Sequence, residues 1–160
     1  MTALATGGRQ MIRSFVDHEH AELVDGIDRI HETGCELPTL SAPTMVARVE
    51  GVLRWVEETL KPHMAWEETW LFPTIDHRAQ TRWATRLVRF DHRQIKQQAE
   101  RLRTHRSELQ HGPSGAAITE ARCDLFGLEA LLRANLEREE AFLLPLLERE
   151  AEAWTPEWRD

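Results

Sequence analysis

The sequence predicts an all-α fold, an up-down-up-down four-helix bundle built from a duplicated helical hairpin. Apolar residues recur at spacings of three and four through almost the whole chain, the period of helices that bury one face. The 160 residues include only eight glycines, and four apolar seams are joined by short connections, as an antiparallel bundle requires. The third observation is a repeat. At a shift of 72 positions, LKPHMAWEETWLFPTI (Leu60 to Ile75) overlays LRANLEREEAFLLPLL (Leu132 to Leu147), and Glu19-His20-Ala21-Glu22-Leu23 overlays Asp91-His92-Arg93-Gln94-Ile95.

Residues 1–9 are expected to form a flexible N-terminus. The first helix is expected from about Gln10 to His31, with Ile12, Val16, His20, Leu23, Ile27 and Ile30 on its seam and Thr33-Gly34 as its stop. Ser41 is placed to cap a second helix, whose seam reads Val46, Val49, Val52/Leu53, Val56, Leu60, His63, Glu67 and Trp70/Leu71. Pro62 lies inside that helix and should bend it just before His63, and Pro73 lies near its end. A linker around Thr74 to Gln80 leads to a third helix with seam Leu87/Val88, His92, Ile95, Ala99, Leu102 and Leu109, ended by His111-Gly112-Pro113. Ser114 is placed to cap the fourth, whose seam reads Ile118, Leu125, Leu128, Leu132, Asn135, Glu139, Phe142 and Leu146. The bundle thus covers residues 10–149. A tail, residues 150–160, carries Trp154 and Trp158, which should fold back on the bundle or meet a partner.

One domain of this length buries a core without disulfides or other staples. A net charge of −7 speaks against nucleic acid as a partner, since phosphate binding needs a basic face. The Arg-rich stretch from Arg78 to Arg106 reads as a solvated helix face. Cys35 and Cys123 are too few for a disulfide framework and suit a reducing compartment, with room for one bridge at most. No signal-type pattern or membrane-length apolar run is present, so the expected localisation is cytoplasmic, with no membrane partner.

Each seam is broken by polar residues in the same layer: His20 on the first helix, His63 and Glu67 on the second, His92 on the third, Asn135 and Glu139 on the fourth. His63 and Glu67 are four apart, so they sit one above the other on one helix face. A buried ionised carboxylate is costly unless it is paired or bound to a metal. In symmetric halves Glu67 and Glu139 face one another and repel unless a cation lies between them. Three imidazoles and two carboxylates suit a first-row transition metal. The competing reading is a hydrogen-bonded polar layer without metal. His18 lies two residues from His20 and should face away, while His31, His77, His105 and His111 have no repeat counterpart and suit surface or supporting roles. Trp66 and Trp70 flank the layer, as core or as walls of a dry pocket. Neither cysteine has a nucleophile's surroundings.

These residues resemble the hemerythrin-like, or HHE cation-binding, family, whose domain is a four-helix bundle with a lone His followed by HxxxE in each half. The resemblance covers about residues 10 to 149 and implies a non-haem di-iron centre with bridging carboxylates. It also implies that O2 is bound reversibly, that O2, NO or peroxide is sensed or reacted with, or that the protein responds to iron. Carried over by position, the metal ligands are His20, His63, Glu67, His92 and Glu139. Two departures fall on one half of the site: the last helix has Asn135 where the family has His, and Lys96 stands where oxygen-carrying members place a further His. Lys96 turned inward would set an ammonium near Glu67 or Glu139; turned outward it would snorkel to water. The chain has no tyrosine to fill the gap.

The leading expectation is therefore a metal-binding protein with iron at a di-iron or degraded mononuclear site, Zn or Mn being acceptable to the same donors. Its partner would be a small diatomic or peroxide ligand, bound or sensed rather than turned over. A homodimer or protein partner would engage through the C-terminal tail. Two alternatives stand beside it: a non-haem iron peroxidase or NO-handling oxidoreductase, and a demetallated bundle serving as a structural or interaction protein. Ferritin-type oxidase chemistry fits less well, because that site uses Glu-x-x-His pairs.

Overall fold

The computed structural model describes residues 2–148, so the tail with Trp154 and Trp158 lies outside the described residues. Four helical rods follow one another. The first is α1 (Thr2–Glu36), trailed by a 3-10 turn at Leu37–Thr39. The second is α2 (Ala42–Trp55), α3 (Lys61–Trp66) and α4 (Phe72–Arg78), joined by wide π-type turns at Val56–Leu60 and Glu67–Leu71. The third is α5 (Arg86–Gln110). The fourth is α6 (Gly115–Arg138) and α7 (Leu144–Glu148), joined by a π turn at Glu139–Leu143.

Cross-rod contacts make every sequential pair antiparallel and close the square. Arg48 pairs with Glu36 at 3.0 Å and His63 with Glu19 at 3.6 Å, tying the first rod to the second. Arg103 meets Glu57 at 2.6 Å and His92 meets Glu68 at 2.8 Å, tying the second to the third. His105 meets Asp124 at 2.6 Å and Arg138 meets Asp91 at 2.7 Å between the third and fourth. Arg122 Nε donates to the Gly34 carbonyl at 2.9 Å, and Arg133 meets Asp28 at 2.7 Å, returning the fourth to the first.

The termini of the helices differ from the expected ones in instructive ways. Helix α1 begins at Thr2 rather than near Gln10, and it runs through Gly34 to Glu36. Gly34 is a packing residue: a Cβ there would lie 2.8 Å from the Phe126 ring. Ser41 occupies the N-cap position, but its hydroxyl meets that of Thr44 at 2.7 Å instead of capping the backbone. Ser114 does cap α6, accepting from the Ala117 N–H at 3.1 Å. The turn after α4 closes on Asp76, whose carboxylate accepts from the Thr85 backbone N–H at 3.2 Å and from its hydroxyl at 3.0 Å. Gly112 takes the left-handed conformation, φ 115°, that ends the third rod. Cys35 and Cys123 are free and exposed.

Each π turn ends two residues before a proline: Pro62, Pro73 and Pro145. A proline has no N–H for the carbonyl four residues back, and its ring crowds that carbonyl. The carbonyls in question belong to Glu58, Thr69 and Ala141, each inside a wide turn that makes the room. A wide turn also carries one extra residue, which moves the buried face about 100° round, or one position downstream. That decides the Trp70/Leu71 alternative in favour of Leu71 and corrects Phe142 to Leu143. Trp70 and Phe142 are 66% and 68% exposed, while Leu71 and Leu143 take the buried positions. Leu87 is likewise exposed and its neighbour Val88 buried. Among the described residues no helix is long and apolar enough to cross a membrane.

The core is divided into two apolar blocks. A large one is built on residues such as Ile27, Val49, Leu60, Ile95, Leu102, Leu128 and Leu132. A smaller one contains Val16, Leu71, Phe72, Ile75, Val88, Leu143, Leu144 and Leu147. The polar layer lies between them, since His20, His63, Glu67, His92 and Glu139 all fall between members of the two blocks along their helices. Gly26, within the larger block's first rod, admits the Trp55 indole so closely that a Cβ would overlap it. Gly26→Ala is therefore expected to destabilise the fold by about 1–3 kcal/mol, despite a helix-propensity gain of about 1 kcal/mol. Urea unfolding of the variant checks this.

Candidate metal centre

The repeat and the antiparallel packing together decide which residues meet. His20 from the first half faces Glu139 and Glu140 of the second, and His92 from the second half faces Glu67 and Glu68 of the first. His20 Nε2 lies 3.4 Å from Glu139 Oε2, and its Nδ1 lies 3.2 Å from Glu140 Oε1. The mirror contacts are His92 Nε2 to Glu67 Oε2 at 3.3 Å and Nδ1 to Glu68 Oε1 at 2.8 Å. His63 Nε2 lies 3.3 Å from Glu67 Oε1, and its repeat counterpart Asn135 sets Nδ2 2.6 Å from Glu139 Oε1. His92 Nε2 also comes within 3.8 Å of Glu139 Oε1. Glu67 and Glu139 are both fully buried, and both open a π turn.

The five ligand positions drawn from the sequence are thus brought into one layer. One ligand atom each of His20, His63, Glu67 and Glu139 lies within 4.8 Å of the others, while His92 reaches the two carboxylates from the far side. Lys96 turns to Glu68, which it meets at 3.1 Å with its side chain 43% exposed, and not to Glu67 or Glu139. Trp70 points to solvent and cannot wall the layer. His18, His77 and His111 are exposed, as expected, and His31 and His105 are held elsewhere by Glu129 and Asp124. The supporting carboxylates Glu19, Glu68 and Glu140 escaped the sequence reading. The signal was present for two of them, because Glu68 and Glu140 are repeat equivalents next to Glu67 and Glu139.

The donor set fits a cation. Eight buried side-chain atoms have no hydrogen-bond partner among the described residues, and all belong to this layer: Nε2 of His20 and His92, both ring nitrogens of His63, both oxygens of Glu67, Oδ1 of Asn135 and Oε2 of Glu139. An orphaned buried polar atom costs about 1–3 kcal/mol, and a cation among these atoms would satisfy several of them at once. Imidazole nitrogens and carboxylate oxygens are together the ligands of first-row transition metals.

Burial pushes the His92 imidazole toward its neutral form, but Glu139, Glu67 and Glu68 outweigh burial and raise it to about 9. His20 and His63 are raised the same way, by Glu139 with Glu140 and by Glu67 with Glu139. Burial alone would raise Glu67, yet His63 and His92 hold its carboxyl down at about 2. The metal-free protein should show the consequence. The His92 pairing stabilises the fold fully below its ordinary value of 6.5 and is lost as pH rises through about 9. The Glu67 contribution has the opposite sense: it is present above 4.5 and lost as pH falls toward about 2. Chelator-treated protein is therefore expected to unfold at lower urea at pH 9 than at pH 6.5, and the difference should shrink in His92→Asn.

Fold and layer define a helical bundle whose core is arranged to hold a metal ion. The family model for the hemerythrin HHE cation-binding domain matches residues 11–147, and the chain belongs to that family. Comparison with curated proteins and with solved structures found no match.

Proposed function

We propose that this protein binds iron in its bundle core and there binds or senses O2, NO or peroxide. The observation that carries the reading is the layer of eight nitrogen and oxygen atoms without hydrogen-bond partners, buried between two apolar blocks. His20, His63, Glu67 and Glu139 would hold the ion, with His92 on the far side of the carboxylates. Iron suits imidazole and carboxylate together, and Zn or Mn would accept the same donors. A bound iron supplies a redox-active Lewis acid with a coordination position open to a small ligand.

The chain's own residues do the rest. Glu67 and Glu139 bring the compensating charge. Glu140 and Glu68 accept from the Nδ1–H of His20 and His92, which fixes the tautomer and turns Nε2 inward. The apolar blocks exclude bulk water, and Phe72, fully buried with its ring 5.2 Å from that of His92, closes one side of the layer. A metal-free polar network is the rival reading, favoured by the Asn135–Glu139 and Lys96–Glu68 hydrogen bonds.

Anaerobic reconstitution with Fe(II), followed by NO or O2, tests the proposal. A visible absorption change that reverses when the gas is removed, and that disappears in His63→Ala, is the expected result. A chain that takes up no metal would sink the reading and leave the polar network. Sustained peroxide consumption lost with His63→Ala would make the protein an oxidoreductase. Glu140→Gln, which leaves every inward-facing atom in place, should weaken metal affinity roughly 10–100-fold in a competition titration.

A further inference from the structure

The two halves of the layer are related by the 72-residue repeat, so each position has an internal control. The inner carboxylates match, Glu67 with Glu139. So do the histidines His20 and His92, and the outer carboxylates Glu68 with Glu140 and Glu19 with Asp91. Three positions in and around the layer do not match: one loses an imidazole and two gain a cation. His63 is answered by Asn135, Val24 by Lys96, and Trp66 by Arg138.

The geometry shows what those differences do. On the His20–His63 side the outer anions face imidazoles: Glu140 meets His20 at 3.2 Å and Glu19 meets His63 at 3.6 Å. On the His92–Asn135 side Glu68 likewise meets an imidazole, His92, at 2.8 Å, but there the outer anions also meet cations of the chain itself. Lys96 donates to Glu68 at 3.1 Å, and Arg138 donates from Nε and Nη2 to Asp91 Oδ2, each at 2.7 Å. The inner carboxylates are divided in the same way. Glu139 Oε1 already accepts from the Asn135 amide at 2.6 Å, whereas its Oε2 has no hydrogen-bond partner and faces His20. The amide cannot be turned over without setting its oxygen against the carboxylate. On one side four unpartnered atoms lie next to the carboxylates or belong to them, Nε2 of His20, Nε2 of His63, Oε1 of Glu67 and Oε2 of Glu139, with His63 Nδ1 facing Glu19 behind them. The other offers Nε2 of His92, Oε2 of Glu67 and a neutral amide oxygen.

We infer that the layer holds one metal ion, on the His20–His63 side, and that Asn135, Lys96 and Arg138 exclude a second. This rests on the metal-binding reading proposed above. Charge decides the number. One divalent cation neutralises Glu67 and Glu139, while a second would leave excess positive charge in a dry layer whose outer anions are already paired on that side.

Metal-free full-length protein is loaded anaerobically with Fe(II), and separately with Zn(II), and metal per chain is measured by elemental analysis after gel filtration. About one ion per chain is expected, retained in His92→Ala and lost in His63→Ala. His20→Gln replaces the latter if circular dichroism shows it unfolded. The variant Asn135→His/Lys96→Val/Arg138→Gln is expected to take up about two, and Asn135→His/Lys96→Val serves if the triple change does not fold. Two ions in the unaltered chain would overturn this inference and leave the metal-binding function standing. No ion of either kind would overturn both. Loss in His92→Ala with retention in His63→Ala would refute the choice of side. Uptake that stays near one in the folded multiple variant would refute the role given to the three residues.

Discussion

Two carboxylates with no exposed surface, Glu67 and Glu139, set the terms for the rest of this fold. An ionised carboxylate in an apolar bundle costs several kcal/mol unless charge and hydrogen bonds reach it. The surrounding architecture reads as the answer to that cost. Imidazoles approach from three directions, and their outward nitrogens face further carboxylates nearer the surface. Negative charge thus flanks each imidazole on both sides, which favours a positive centre in the layer. The two apolar blocks raise the stakes, because they keep out the water that would otherwise solvate every member.

The prolines belong to the same design. A helix with regular geometry would place Trp70 and Phe142 inward after the glutamates, where the observed packing buries Leu71 and Leu143. The π turns that begin at Glu67 and Glu139 rotate the following segments, so that small block of leucines, Phe72 and Ile75 closes over the layer. Pro73 and Pro145 make the regular turn unfavourable there, and so help to fix the wide one. Sequence repeat, backbone irregularity and buried glutamate coincide in both halves. The third wide turn, before Pro62, has no counterpart at position 134, which is alanine. It follows from the proline alone.

Much of this was legible in the sequence, for identifiable reasons. The helical period survives in Val49, Leu60, Ile95, Leu102 and Leu128, so the seams and the bundle could be read directly, and the polar interruptions stood out against them. What the period could not carry was a change of period. Phe142 was assigned inward, and Trp70 was left as an alternative to Leu71, because a constant 3.6-residue turn was continued through segments that widen. The outer carboxylates were missed for another reason. A repeat states which residues are equivalent, not which ones touch, and His20 meets Glu140 rather than Glu68 only because the halves pack across each other. Gly34 was misread as a stop because its reason for being glycine is Phe126, ninety-two positions away in sequence.

Asn135, the repeat counterpart of His63, separates two tasks that a histidine there would perform together. His63 Nε2 faces Glu67 at 3.3 Å, and the Asn135 amide faces Glu139 from the equivalent place at 2.6 Å. The amide still satisfies one carboxylate oxygen, so the fold keeps a partner for a buried charge, and the shorter side chain fits the same spacing on the helix. What it gives up is a nitrogen lone pair aimed into the layer. Its N–H group holds Glu139 Oε1, leaving only the amide oxygen unpartnered. A hydrophobic residue at that position would have left Glu139 more exposed to the full cost of burial, and an acidic one would have added to it. Asparagine keeps a hydrogen bond to the buried carboxylate and lacks the imidazole nitrogen that His63 presents in the other half. The two halves of this bundle can therefore remain alike in packing and differ in chemistry.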